Sequence, residues 1–162
     1  MKLAIITKDD QRLRRKSTPI ELTEFSKPKF QKFIHELTET MYQSDGIGIA
    51  APQVGRNIRL IIIAGEKGAM TLINPVISRR SWRKETEEEG CLSVPGVYGM
   101  VRRSRQIFAQ WTDAAGQPVK IKAAGLLARV IQHEVDHLDG ILFIDRAHKL
   151  HDPKPGDTET RL

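Results

Sequence analysis

The stretch "QHEVDHLDG", Gln132 to Gly140, sets His133 and His137 four positions apart, with Glu134 directly after the first histidine. With the preceding "AAGLLARVI" it reads as one helix: Leu127, Val130, Ile131, Glu134 and Leu138 fall near one side, and Gly140 is a stop signal. On a helix, side chains four apart lie about 6 Å from each other, so the two imidazoles can hold one metal ion. Glu134 is turned about 100° from His133 and can stand beside that ion without ligating it, where a general base for water belongs. Two histidines leave a catalytic metal one protein ligand short. The chemistry and the fold around this helix therefore turn on the third ligand.

Downstream the sequence offers nothing rigid. The protease pattern HExxHxxGxxH is matched as far as Gly140, but its last histidine falls on Phe143. A downstream carboxylate would have to be Asp157 or Glu159, in a tail that also carries Pro155 and Gly156. A pliant tail is a poor support for a ligand that must be held still. Upstream lies "EEEGCLSVPG", with Cys91, the one cysteine of the chain. Read blandly, it is a small buried hydrophobe in a loop. Read as a thiolate, it completes a Cys/His/His set with a fourth position open, the form of a catalytic rather than a structural site. Such a set suits Fe(II), Zn(II) or Co(II) alike.

The chain has 162 residues, of which 40% are hydrophobic, and this fits one domain with a sizeable core. A lone cysteine excludes an internal disulfide and fits a reducing cytosol. The opening "MKLAIITKDD" holds a four-residue apolar run, too short for a signal peptide. No segment reaches the roughly 20 apolar residues of a membrane helix. A soluble, cytoplasmic protein without membrane contact is expected. The net charge of +6 serves solubility first. It also allows attraction to an anionic partner such as a ribosome surface. Only short basic clusters such as "RLRR" and "VRRSRQ" occur, so sequence-specific nucleic-acid binding is not expected.

Working outward, the start to about Pro28 looks irregular. Phe30, Phe33, Ile34, Leu37 and Met41 recur at helical spacing after Pro28, and that helix must end near Gly46. "GIGIAAPQVG" is glycine-rich. "IRLIIIA" reads as a buried strand, "MTLINPVIS" as extended, and "VYGMVRR" and "QIFAQWTD" as strands. "PVKIKA" pairs back across the turn "DAAG". The tail "HDPKPGDTETRL" is expected to be mobile. The class is α+β, with strands mostly joined as hairpins and helices segregated from them.

Three stretches, "GIGIAAPQ" (46–53), "EGCLS" (89–93) and "QHEVDHLDG" (132–140), match without gaps and in order the signature motifs of the peptide deformylases. The chain resembles that family over roughly residues 2 to 148. The resemblance implies a peptide-deformylase-like fold, with antiparallel strands around a central metal-binding helix. It implies one catalytic domain over 1–148 and a polar tail over 149–162. The implied activity is hydrolysis of the formyl group from the N-terminal formyl-methionine of nascent polypeptides, releasing formate.

The resemblance also gives residues their roles. Cys91, His133 and His137 hold one divalent ion, with Fe(II) the expected native metal and Zn(II), Ni(II) or Co(II) as substitutes. Glu134 is the proton carrier. The side-chain amide of Gln53 and the backbone N–H of Leu92 donate to the oxyanion. Gly46 and Gly48 lie along the substrate backbone, and Ile47, Leu126 and Val130 line the methionine pocket. Glu89, expected to pair with Arg103, and Gly90 are also counted among the substrate-binding residues. Glu87 stands where some relatives carry an apolar residue and is expected to face water, because an unpaired buried carboxylate is costly. Asp136 is expected to orient a histidine or a loop. A monomer is expected, with transient ribosome contact weakened by the short tail.

Two other readings stand beside this one. A metallopeptidase would lack its usual third ligand. A catalytically silent, metal-stabilised module that binds nascent chains or ribosomes would have no need of Glu134.

Overall fold

The computed structural model describes residues 2–152. At its centre is α2, Gly125–Leu138, in which every residue from Ala128 to Leu138 is buried. A helix buried all round must either be apolar or partner each of its polar groups. Here one side, with Ala128, Val130, Ile131, Val135 and Leu138, packs into a core with Ile61, Ile63, Leu72 and Ile107. Of the polar residues, Gln132 bonds the backbone of Ser104 at both N–H (3.2 Å) and C=O (2.9 Å). Gly140 follows with φ +76°, and a Cβ there would stand 2.5 Å from the Arg14 carbonyl oxygen. That left-handed, crowded position accounts for the glycine stop.

Among the described residues, eight strands surround the helix. β1 (Gly48–Ala50), β2 (Leu60–Ile63), β3 (Met70–Arg80), β6 (Gln106–Thr112) and β7 (Pro118–Ala124) form an antiparallel sheet in the order β1-β2-β3-β6-β7. Between β3 and β6 the chain builds the hairpin of β4 (Lys84–Cys91) and β5 (Val94–Ser104), which joins β8 (His148–His151) in a second sheet. The helix α1, Pro28–Tyr42, lays Phe30, Phe33, Ile34, Leu37 and Met41 against Ile49, Leu60, Ile62 and Ile73. These elements agree with the expected α+β class and with a metal-site helix ringed by antiparallel strands.

Three differences from the expectations have physical reasons. Cys91 is the last residue of a strand rather than part of a loop. Glu85, Glu87 and Glu89 lie in β4 despite their weak strand propensity, because Arg103 of β5, Arg105 just after it and Arg129 of α2 pair with their carboxylates. Second, strand pairing continues past residue 148, where β8 meets β5 through Tyr98↔His151 and Gly99↔Leu150. The rest of the tail, including Asp157 and Glu159, lies outside the described residues. Third, the irregular start contains two short 3-10 turns, Gln11–Arg14 and Leu22–Glu24.

Candidate active site

Cys91 ends β4, and the two-residue turn Leu92–Ser93 returns the chain to Val94. The thiol is 2% exposed and its Sγ lies 3.2 Å from Nε2 of His137. The His133 and His137 rings sit edge to face, 5.0 Å between centroids. One ligand atom from each of Cys91, His133 and His137 falls within 4.8 Å of the others. The spacing expected from the sequence is thus met by three buried side chains from two elements.

The donor set fits a divalent metal ion. Nε2 of His133 is buried without a hydrogen-bond partner, although its Nδ1 is bonded. Burial, reinforced by the His133 and Arg103 charges, holds His137 well below the usual histidine range. It is therefore neutral, the form that ligates. Burial pushes the Cys91 thiol up, and the Glu134 charge adds to this, against backbone N–H donation from Ser93 and Val94. A bound cation inverts that balance and favours the thiolate.

Behind the ligands lies a buried ionic lattice. Glu89 is 1% exposed. It accepts a bidentate pair from Arg103 (2.7 and 2.8 Å), a bond from Arg129 (2.7 Å), and stands 3.0 Å from Nδ1 of His133. Burial alone would raise its pKa, but the hydrogen bonds and charges of Arg103 and His133 outweigh it and hold the carboxyl below its usual range. Asp136 accepts from Arg103 at 2.7 Å and from Arg146 at 2.6 and 2.8 Å. It therefore ties the helix to the segment after it, and its bonds run to arginines rather than to a histidine. Glu87 is half exposed, as expected, but is not left to water alone: Arg129 Nε lies 2.8 Å from it.

Glu134 is fully buried and neither carboxylate oxygen has a hydrogen-bond partner among the described residues. Burial raises its pKa well above the ordinary carboxylate value, opposed by Arg103. β1 crosses directly over it: a Cβ on Gly48 would come within 2.5 Å of Glu134 Oε1 and 3.0 Å of Val130 Cγ1. Gln53, fully buried, accepts from the Ala50 N–H at 2.8 Å through Oε1. That bond fixes the amide orientation, and Nε2 points at Cys91 Sγ, 3.6 Å away.

A cleft of about 710 Å³ adjoins this centre, with Ile47, Leu126, Leu127 and Val130 on one wall and Ile63 to Met70 on the other. It gathers the three apolar pocket residues expected from the sequence. Leu126 is 57% exposed at its rim. Gly46 and Leu92 meet each other, a Cβ on Gly46 standing 2.9 Å from Leu92 Cδ1. Gly90 lies against the Tyr98 ring, 2.8 Å from where its Cβ would be.

Sequence reasoning missed Arg129, Arg146 and the wall from Ile63 to Met70. Arg129 carried a signal: it sits four residues before His133, on the same helix face, in a chain whose acidic run ends at Glu89.

The sequence model described as Polypeptide deformylase matches residues 2–153. "Peptide deformylase 2" of Gloeobacter violaceus is 45% identical over 149 residues, covering 89% of this chain and 78% of that protein. The crystal structure of a peptide deformylase from Synechococcus elongatus in complex with actinonin is 42% identical and superposes with a TM-score of 0.85, over 91% of this chain and 79% of that one. The peptide deformylase from Thermotoga maritima is 37% identical with a TM-score of 0.87, over 92% and 99%. With its signature motifs folded into one buried Cys/His/His centre and its length matched almost throughout, the chain belongs to the polypeptide deformylase family.

Proposed function

We propose that this chain hydrolyses the formamide of N-formyl-methionyl nascent polypeptides to formate and a free N-terminal amine. The observation that carries this reading is Glu134: a fully buried carboxylate with both oxygens unbonded among the described residues, on the same helix as two of the three ligands and directly beneath Gly48. Cys91, His133 and His137 hold one divalent ion, with Fe(II) as the native metal and Zn(II), Ni(II) or Co(II) as substitutes. When bound, that ion supplies Lewis acidity, polarising the formyl carbonyl and lowering the pKa of water.

The methionine side chain enters the apolar wall of Ile47, Leu126 and Val130, and the peptide backbone runs along Gly46–Gly48 and Glu89–Gly90 as an added strand. Glu134 takes a proton from the attacking water and delivers it to the departing amine. Its raised pKa suits both duties, since a carboxylic acid tuned toward neutrality can give back the proton it accepts. As the carbonyl carbon becomes tetrahedral, the Gln53 amide and the Leu92 N–H donate to the oxygen. Gln53 is pre-set for this by its bond to Ala50, so little reorganisation is needed in the transition state.

No described helix is long and apolar enough to cross a membrane. We place the enzyme in the cytoplasm as a monomer meeting its substrates as they leave the ribosome, with transient ribosome contact favoured by its +6 charge. The silent-module alternative has no support among the relatives and is not retained. The test is formate release from formyl-Met-Ala-Ser by protein purified without oxygen and loaded separately with Fe(II), Ni(II) or Zn(II). Release is expected with Fe(II) and Ni(II). No release with any metal, from folded and loaded protein, would overturn the reading.

A further inference from the structure

The outer face of the large sheet takes no part in this chemistry. β3, β6 and β7 contain Arg79, Arg80, Lys120 and Lys122 and no acidic residue, in a chain with 20 Asp and Glu. The register sets Arg79 opposite Phe108 and Phe108 opposite Lys122. Cation, aromatic and cation thus form one exposed row across three strands. Phe108 is 44% exposed and Lys122 Nζ stands 5.9 Å from its ring centroid. Beside the ring is a hollow of about 260 Å³ walled in part by Ser78, Gln110, Lys120 and Lys122. Beyond the end of β3, Trp82 projects with 94% of its surface exposed, between Arg80 and Arg83–Lys84.

Single exposed aromatics are ordinary, and a charge run is usually a solvated face. The combination here is more specific. A sheet face with an aromatic ring flanked by cations, on strands without carboxylates and indented beside the ring, offers base stacking and phosphate contacts together. An anionic membrane matches the charge but not the hollow. Ser78 already bonds the Phe108 carbonyl, but acyl chains would leave the Gln110 amide without a partner, at a desolvation cost, whereas a base edge or a ribose 2′-hydroxyl can bond it.

We propose that the outer face of β3, β6 and β7 binds single-stranded RNA with little sequence preference. One base stacks on Phe108 with its edge in the hollow, Arg79, Lys120 and Lys122 hold phosphates, and Trp82 stacks a further base at the end of the sheet.

The test is fluorescence anisotropy of a labelled oligo(U) 12-mer with metal-loaded, full-length protein. Binding is expected with Kd on the order of 10 µM at low salt, and roughly twentyfold weaker between 50 and 200 mM salt for three phosphate contacts. It should quench Trp82, since the other tryptophan, Trp111, is buried. R79E/K122E and Phe108→Ser should each bind roughly tenfold more weakly. Both should retain wild-type formate release and far-UV circular dichroism, because neither touches the catalytic centre. No binding up to about 100 µM, binding indifferent to both variants, equal binding of oligo(dT), or capture by phosphatidylserine vesicles without RNA binding would each overturn the proposal.

Discussion

The Glu89 carboxylate lies 3.0 Å from Nδ1 of His133 while two arginines hold its other lone pairs. The carboxylate accepts a hydrogen bond from Nδ1–H, which fixes the proton on Nδ1 and leaves the Nε2 lone pair to face the metal position. Partners of this kind set the tautomer and basicity of a ligand, and their loss costs about 10–100-fold in metal affinity. Glu89→Gln should therefore bind metal about 10–100-fold more weakly than wild type in equilibrium competition with a chelator. Equal retention would show that His133 orients itself.

Arg129 makes four polar contacts from a nearly buried position: Glu89, Glu87 and the carbonyls of Val101 and Glu85. Arg129→Met leaves Glu89 short of a cation and removes the bonds to the Val101 and Glu85 carbonyls. Denaturant unfolding should show a loss of about 3 kcal/mol. Arg129→Lys should recover only part of this, because an ammonium cannot span all four acceptors.

A methyl group at position 48 has nowhere to go but the Glu134 carboxylate. Gly48→Ala should fold and bind metal, yet show kcat lowered by roughly a hundredfold, the usual scale for misplacing a reacting group by about 1 Å. Unchanged kcat would mean that Glu134 has freedom the packing denies it.

Gln53→Ala should reduce kcat with little change in metal content. Removing one oxyanion donor costs about 3 kcal/mol of barrier, or roughly a hundredfold in rate. A mutant impaired only in KM would assign Gln53 to ground-state binding instead.

The pH dependence of stability in metal-stripped protein follows from two opposed shifts. His137 is held below its ordinary value of 6.5, so below that pH the unfolded chain takes a proton the folded one refuses, and stability falls as pH falls. Glu134 is held above its ordinary 4.5, so above that pH the folded chain keeps a proton the unfolded one releases, and stability rises as pH falls. Between 4.5 and 6.5 the two act in opposite directions. Wild type should therefore depend less on pH there, by urea unfolding, than either shift alone would give. Glu134→Gln should uncover the histidine, with a loss of up to about 1.4 kcal/mol per pH unit on acidification. Parallel profiles for the two proteins would refute this assignment.

The parts of this site written in local patterns were legible in the sequence. Helical spacing placed His133, Glu134 and His137 on one element, and the failure of every downstream ligand left Cys91. α1 announced itself through its five apolar residues after Pro28. β4 did not, because Glu-rich segments seldom form strands and this one depends on distant arginines for its charge balance. Arg129 stayed hidden for the same reason. Its partners lie some 40 residues away in sequence, and no local pattern records a contact of that range. β8 is short and polar, and only its pairing with Tyr98 and Gly99 makes it a strand.

The central claim is that Glu134 moves the proton for formyl hydrolysis at the Cys91–His133–His137 centre. Its most direct test is formate release from formyl-Met-Ala-Ser by Fe(II)- or Ni(II)-loaded wild type beside Glu134→Ala, with metal content measured on the same samples. Release by wild type and near-complete loss in a variant that still carries its metal is the expected result. A Glu134→Ala protein that holds metal and releases formate at the wild-type rate would contradict it.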